Sequence, residues 1–312
     1  MTNKIAIIDC GTNTFHLLIM EIGVGKQTIV VKEKTVVKIG AGGINDKRII
    51  PEAEERAIKA LTDFKEQIDS QQVDKIYAFA TSAFRNATNG TALRDKVKQS
   101  TGLDINIISG DQEAEYIFKG VSYGLALTNE SCLVMDIGGG SVEFIIGEGQ
   151  DILWKRSYEI GAQRLLDLFH DKDPIDDNSL KKLFAYLDEE LPALFEALQQ
   201  HKPTILIGSS GTFDTLSEIY SKKNHLNIDE NPTEIPFSIN AFESIYQELV
   251  SKNREERLMI PGMIEMRVDM IVVATALIKY IITRHQFDAM RVSTYALKEG
   301  VLSEILKKGS KA

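Results

Sequence analysis

Two stretches of this 312-residue chain carry the same chemistry-bearing pattern. Residues 7–19, IIDCGTNTFHLLI, align without a gap with residues 134–146, VMDIGGGSVEFII. Each is an apolar run ending in an aspartate, Asp9 or Asp136, followed by a Gly-rich turn and a second β-prone run. Glycines let backbone N–H groups converge on a phosphate, Ser, Thr and Asn add neutral donors, and the aspartate can hold a metal ion or water. The candidate donors are Thr12 and Asn13 in the first loop, and Gly138, Gly139, Gly140 and Ser141 in the second. A glycine triplet also occurs in ordinary hairpins, so the repetition carries the argument.

A second pair of signals follows the first. Residues 76–85, IYAFATSAFR, and 205–214, ILIGSSGTFD, each read as a buried strand running into small polar residues that open a helix. Thr81 follows Asp9 by 72 positions, and Gly208 follows Asp136 by the same interval. Ser209, Gly211 and Thr212 join the candidate phosphate donors. Two halves of similar layout predict a duplicated α/β domain.

The other elements fit that plan. Pro51–Asp69 has Pro at its first position, early acids and apolar residues at Ala57, Ile58, Leu61, Phe64 and Ile68, an amphipathic helix. A short strand is expected over 104–108, then a helix over 112–127 whose Gly120 and Gly124 suggest a bend or a close helix contact. The segment 125–131 is read as the domain boundary. Helical patterns follow at 161–170, 176–200, 211–221 and 239–252, then a long apolar helix over 262–284 and a last one near 295–307.

Composition narrows the class. Hydrophobic residues make up 43% and charged residues 26%, which matches a globular chain and excludes disordered and collagen-like readings. Cys10 and Cys132 form no CxxC or Cys/His cluster, so neither a disulfide framework nor a structural zinc site is indicated, and a cytoplasmic home is expected. The N-terminus reads as a strand rather than a signal peptide. The apolar stretch 270–282 is too short to span a bilayer and contains Lys279. A net charge of −9 argues against nucleic-acid binding, so an anionic substrate must be held locally. His170-Asp171 is a lone HD dipeptide without further histidines at helical spacing, and is read as a loop.

The chain resembles the exopolyphosphatase/guanosine pentaphosphate phosphohydrolase family of the actin-like ATPase superfamily. The blocks that carry the resemblance run in the family's order over nearly the whole chain: IDCGTNTFHLLI (8–19), ATSAFRNATN (80–89), IISGDQEAEYIFKGV (107–121), VMDIGGGSVEF (134–144), IGAQRL (160–165), IGSSGTFDTL (207–216), the stretch from Arg257 through PGMIEMRVDMI, and VSTYALKEGVL (292–302). It implies two actin-like (ribonuclease H-like) domains, each a five-stranded mixed sheet flanked by helices, with a cleft between them. The limits expected are 1–124 with the C-terminal helix of about 297–312, and 125–296.

The activity implied is release of the terminal phosphate from inorganic polyphosphate, or of the 5′ phosphate from guanosine pentaphosphate (pppGpp), by attack of water with Mg²⁺ present. The resemblance gives Glu113 as general base and Arg85 as a phosphate-contacting arginine. Read from its position alone, Glu113 is an acid at a helix start, where the dipole favours it. Asp136 ends one strand and Glu143 sits in the next, so both can face one site, and two hard carboxylates suit Mg²⁺. Asp9 shapes its turn or meets metal through water. Lys32, Lys34 and Lys38 share a strand face by parity, either guiding a polyanion or simply solvated. Arg267 ties the long helix to the active-site side or makes a structural ion pair. A sugar-kinase-like phosphotransferase and a non-catalytic polyphosphate or alarmone sensor are the competing classes, and family members often form a homodimer.

Several positions depart from the family pattern. Cys10 fills the variable slot after Asp9; Ser210 stands where a second glycine is usual; Ala274 replaces a common glycine; Ala296 and Lys298 replace the usual Gly and Arg. None removes Glu113, Asp136, Glu143 or Arg85, so substrate preference is what they put in question. The length implies the two domains without the additional C-terminal domain of longer members, which favours short or nucleotide-linked substrates.

Overall fold

The computed structural model describes residues 3–23, 26–125, 127 and 129–309. The chain divides into two compact units, Met1–Glu113 and Ala114–Ala312. Each has its own apolar core, which supplies the main driving force for its folding.

The first unit opens with β1 (Asn3–Cys10), β2 (Thr14–Gly23) and β3 (Lys26–Val36), each antiparallel to the one before. Helix α1 (Pro51–Ser70) leads to β4 (Lys75–Ala80), and α2 (Ser82–Asn86) and α3 (Gly90–Thr101) lead to β5 (Ile105–Ile107) and the start of α4 (Gly110–Gly124). The sheet order is β3-β2-β1-β4-β5, with β4 and β5 parallel to β1. Pro51 starts α1, which buries Ala53, Ala57, Ala60, Leu61, Phe64 and Ile68. The start of α4 is set by a reciprocal cap: the Ser109 hydroxyl accepts from the Gln112 amide, and the Gln112 side chain accepts from the Ser109 amide.

The second unit contains β6 (Ser131–Ile137), β7 (Val142–Glu148), β8 (Asp151–Tyr158), α5 (Ala162–Phe169), α6 (Asp177–Glu190), α7 (Pro192–His201), β9 (Ile205–Ser209), α8 (Ser210–Lys223), β10 (Glu234–Ile235), α9 (Ile239–Ser251), α10 (Arg254–Leu258), α11 (Met270–Arg284), β11 (Ala289–Ser293) and α12 (Leu297–Gly309). Its sheet runs β10-β11-β9-β6-β7-β8. Without the two-residue β10 this is the first unit's topology again, an antiparallel three-strand meander followed by two parallel strands. The duplicated mixed-sheet architecture read from the sequence is present, but the second sheet has six strands rather than the five expected, because the short β10 adds antiparallel to β11 at its edge. The equal intervals of 72 are only approximate in space, because Asp9 pairs with Phe79 but Asp136 with Ser209.

Two helical stretches differ from expectation. The pattern over 176–200 is broken into α6 and α7 at Pro192, which cannot donate within a continuing helix but suits a first turn. The apolar helix expected from 262 begins only at Met270. Gly262 has φ +92, and a Cβ there would approach the backbone of Glu218 and Ile219, so the preceding segment is a close-packed turn.

Gly120 and Gly124 mark a close contact as expected. A Cβ at Gly120 would collide with the Ala296 carbonyl, one at Gly300 with the Tyr116 carbonyl, and one at Gly124 with the Tyr295 ring. We retain as a proposal the domain limits 1–124 with 297–312 and 125–296, which keep α4 and α12 together. Positions 126 and 128 of the expected boundary segment, 310–312 of the last helix and residues 1–2 of the expected first strand lie outside the described residues. No helix among the described residues is long and apolar enough to cross a membrane.

Candidate active site

In the second unit, β6 and β7 pair so that Asp136 stands directly opposite Glu143. Cross-strand partners project from the same face of a sheet, so the two carboxylates share one side. Both are buried, at 5% and 1% exposure. Asp136 Oδ2 accepts from Ser209 Oγ at 2.8 Å and from Ser210 Oγ at 2.6 Å. Glu143 Oε1 accepts from Ser157 Oγ at 2.6 Å. Burial raises the Asp136 pKa and the Asp214 charge adds to it, while the two serine hydroxyls and Lys298 act in the opposite direction.

Ser210 has φ +66, the left-handed region where glycine is at ease. The departure from a second glycine therefore keeps an uncommon backbone conformation and adds a hydroxyl bonded to Asp136. Thr212 is fully buried and its Oγ1 has no partner among the described residues. Arg267, 5% exposed, lies so close over Gly211 that a Cβ there would collide with the guanidinium. Its Nε is likewise unpartnered among the described residues. Burial lowers the Arg267 pKa while Asp214 and Asp136 raise it, which places the cation in the field of the same carboxylates.

The glycine loops of the two units are built alike. Gly11 N donates to Thr14 O at 3.1 Å, and Gly138 N to Ser141 O at 3.0 Å. Thr12 and Asn13 are buried, and their carbonyls are held from outside the hairpin: Asn13 O accepts from Val37 N and Lys38 N, and Thr12 O from Gly40 N. The Arg56 guanidinium in turn holds the carbonyls of Val37 and Lys38. One difference matters. The residue opposite Asp9 is His16, whose Nε2 lies 3.1 Å from Thr14 Oγ1, so the first unit lacks the second carboxylate.

Also in the first unit, Arg85 and Glu113 meet. Arg85 Nη1 is 2.8 Å from Glu113 Oε2 and 3.2 Å from the Ile108 carbonyl, and both side chains are largely buried. Lys32 and Lys34 lie on one exposed face of β3, but β3 ends at Val36 and Lys38 has left-handed backbone, so the three lysines do not form one strand face. Burial and the Asp9 charge push the Cys10 thiol well up, consistent with an inert apolar residue. Sequence reasoning missed Ser157 and the hydroxyl role of Ser210; the β7–β8 register that sets Ser157 opposite Glu143 was the missing information.

The donor set fits a hard cation. Among the described residues no group of three His, Cys, Asp or Glu gathers at one point. Two carboxylates ringed by hydroxyls leave the remaining positions to phosphate oxygens and water, the usual arrangement for Mg²⁺.

A family model described as the Ppx/GppA phosphatase family matches residues 18–309. An exopolyphosphatase from Cytophaga hutchinsonii is similar over 98% of both chains, with 44% identity and a TM-score of 0.95. The Aquifex aeolicus Ppx/GppA family member is similar over 99% of both chains, with 26% identity and a TM-score of 0.80. Among curated proteins, a guanosine-5′-triphosphate,3′-diphosphate pyrophosphatase of Pseudoalteromonas translucida is 28% identical over 97% of this chain, which spans 59% of that relative's length.

Proposed function

The chain belongs to the Ppx/GppA phosphatase family, and on that premise we propose that it hydrolyses the terminal phosphoanhydride of inorganic polyphosphate. The observation that carries this reading is the Asp136–Glu143 pair on one sheet face beside a glycine loop, with buried Thr212 and Arg267 donors still unpartnered among the described residues. The similarity to an exopolyphosphatase at 44% identity favours polyphosphate. pppGpp is the second reading, favoured by the name of the curated relative.

In this mechanism the amides and hydroxyls of Gly138–Ser141, Ser209, Gly211 and Thr212, with Thr12 and Asn13, hold the phosphates. Asp136 and Glu143 would hold Mg²⁺, which when bound would neutralise charge on the phosphate oxygens. Glu113 orients the attacking water and takes its proton on a carboxylate oxygen. Arg85 pairs with that carboxylate and holds it in place, and a forked guanidinium is the group that suits phosphate oxygens. Arg267 adds a second buried cation against the charge of the transferring group.

The test is a phosphate-release screen over polyphosphates of several lengths, pppGpp and ATP, with and without Mg²⁺. Release from polyphosphate with the highest kcat/KM is the expected result, and pppGpp preference would select the second reading. Transfer from ATP to an acceptor, or tight binding without release, would overturn both.

A further inference from the structure

The carbonyls of Gly138, Gly139 and Gly140 are all taken from one side. Gly138 O accepts from Ala162 N at 2.9 Å, Gly139 O from Gln163 N at 2.9 Å, and Gly140 O from Gly161 N at 3.2 Å. Gly140 O also accepts from Arg164 Nε at 2.8 Å. Gly161 sits so close that a Cβ would collide with the Gly139 and Gly140 backbone. The first turn of α5 is therefore docked against the back of the loop, and its N–H groups are spent on protein carbonyls rather than on an anion.

A planar trans peptide fixes the consequence. The C=O of one residue and the N–H of the next point in opposite directions. Holding the carbonyls of Gly138, Gly139 and Gly140 toward α5 turns the amides of Gly139, Gly140 and Ser141 the other way. Neither the Gly139 nor the Gly140 amide has a hydrogen-bond partner among the described residues. Consecutive amides aimed one way form an anion-binding concavity.

Three of the four donors behind the loop are backbone groups. The fourth is a side chain, and it is charged and buried: Arg164 is 7% exposed, and its Nη2 donates to Glu159 Oε2 at 3.0 Å. We infer that Arg164 is a positioning residue that locks the Gly140–Ser141 peptide with its amide toward the bound phosphate. Glycine at 140 leaves this peptide free to rotate, and a rotated peptide would present a carbonyl dipole to the anion. The rigid fork of arginine matches the task, because Nε meets the carbonyl while Nη2 is held by Glu159. The inference rests on the phosphohydrolase reading above, and names a residue to which that reading gives no part.

The test measures binding of tripolyphosphate by calorimetry without divalent metal, beside KM and kcat. Arg164→Ala is expected to weaken tripolyphosphate binding by about 10-fold or more, the loss of a charge-assisted bond at the loop. Added ethylguanidinium is expected to restore part of that loss, and the Mn²⁺ affinity of the Asp136–Glu143 pair is expected to stay within about 3-fold of wild type. Arg164→Lys keeps the buried charge and tests the same point if the alanine variant does not fold; it should bind like Arg164→Ala. Wild-type affinity in folded Arg164→Ala or Arg164→Lys would overturn the inference, as would equal losses of Mn²⁺ and tripolyphosphate binding without rescue. A wild-type protein that binds no tripolyphosphate in this assay would also overturn the inference, whereas no phosphate release from any polyphosphate with Mg²⁺ present would remove the phosphohydrolase reading itself, a distinct result.

Discussion

Arg85 Nη1 and Glu113 Oε2 are 2.8 Å apart in a largely buried ion pair. The acid proposed to activate water and the cation proposed to meet phosphate thus hold each other. Removing either charge leaves its partner buried and uncompensated. The amide variant Glu113→Gln keeps the shape and hydrogen bonds while deleting the proton acceptor. It should lower turnover by about 100-fold or more, with tripolyphosphate affinity changed by only a few-fold. Steady-state phosphate release and calorimetry on the same sample check both halves; unchanged turnover would remove Glu113 from the chemistry.

Ser157 supports Glu143 through one short hydrogen bond. Partners of metal-binding carboxylates commonly contribute about 10–100-fold to metal affinity. Ser157→Ala should therefore raise the Mg²⁺ concentration for half-maximal phosphate release by about 10-fold. Chelation with EDTA should abolish release in both proteins, and equal Mg²⁺ titrations would exclude a role for this serine.

Away from the loops, a charge cluster braces the turn before α11. Arg257 is fully buried; its Nε donates to the Val268 carbonyl and its Nη1 to Asp173 Oδ1 at 2.6 Å. Asp173 Oδ2 also accepts the Arg254 amide at the start of α10. Asp173→Ala should cost about 3 kcal/mol or more, because it strands a buried guanidinium. Urea unfolding at neutral pH measures this directly.

The same cluster sets an acid limit. Burial and the Arg257 charge hold the His170 imidazole below its ordinary range, against Asp173 and Asp269. A depressed folded pKa means the contribution is complete above about 6.5, the free histidine value, and is lost as pH falls through the folded value. For Asp173, burial alone would raise the pKa, but the Arg257 bond and charge hold it below the usual carboxylate range. Its contribution is present above about 4 and disappears in stronger acid. Urea midpoints should fall from about pH 6.5 downward, and His170→Asn should flatten the upper part of that slope.

The α4–α12 crossing predicts a steric limit. Gly300 has no room for a Cβ against the Tyr116 carbonyl, a backbone atom that cannot swing aside. Gly300→Ala should destabilise by about 1–3 kcal/mol, as overpacking does. Thermal unfolding checks it, and a melting temperature equal to wild type would mean the helices can part.

Much of this was legible in the chain itself. The ungapped repeat places Glu143 seven positions after Asp136 and His16 seven after Asp9, and in both hairpins those residues face each other. Pro51 and the glycines of α4 were read from local rules that hold in the structure. What could not be read depends on pairing between distant segments. Ser157 meets Glu143 only through the β7–β8 register, Arg164 meets Gly140 only because α5 docks behind the loop, and the late start of α11 follows from a turn packed on α8. Apolar periodicity cannot tell such a turn from a helix. The lysine face failed for a similar reason, since parity holds only while the strand lasts and β3 stops at Val36.

The His16 and Glu143 positions carry one last implication. The two hairpins are the same object built twice, yet only one ends in a pair of acids. An imidazole stands at 16 where the second hairpin has a carboxylate, so the repeats are unequal: on the reading proposed above, only the second has paired acids with which to hold a cation. Writing Glu at position 16 would restore the symmetry and show whether that asymmetry is functional or only historical.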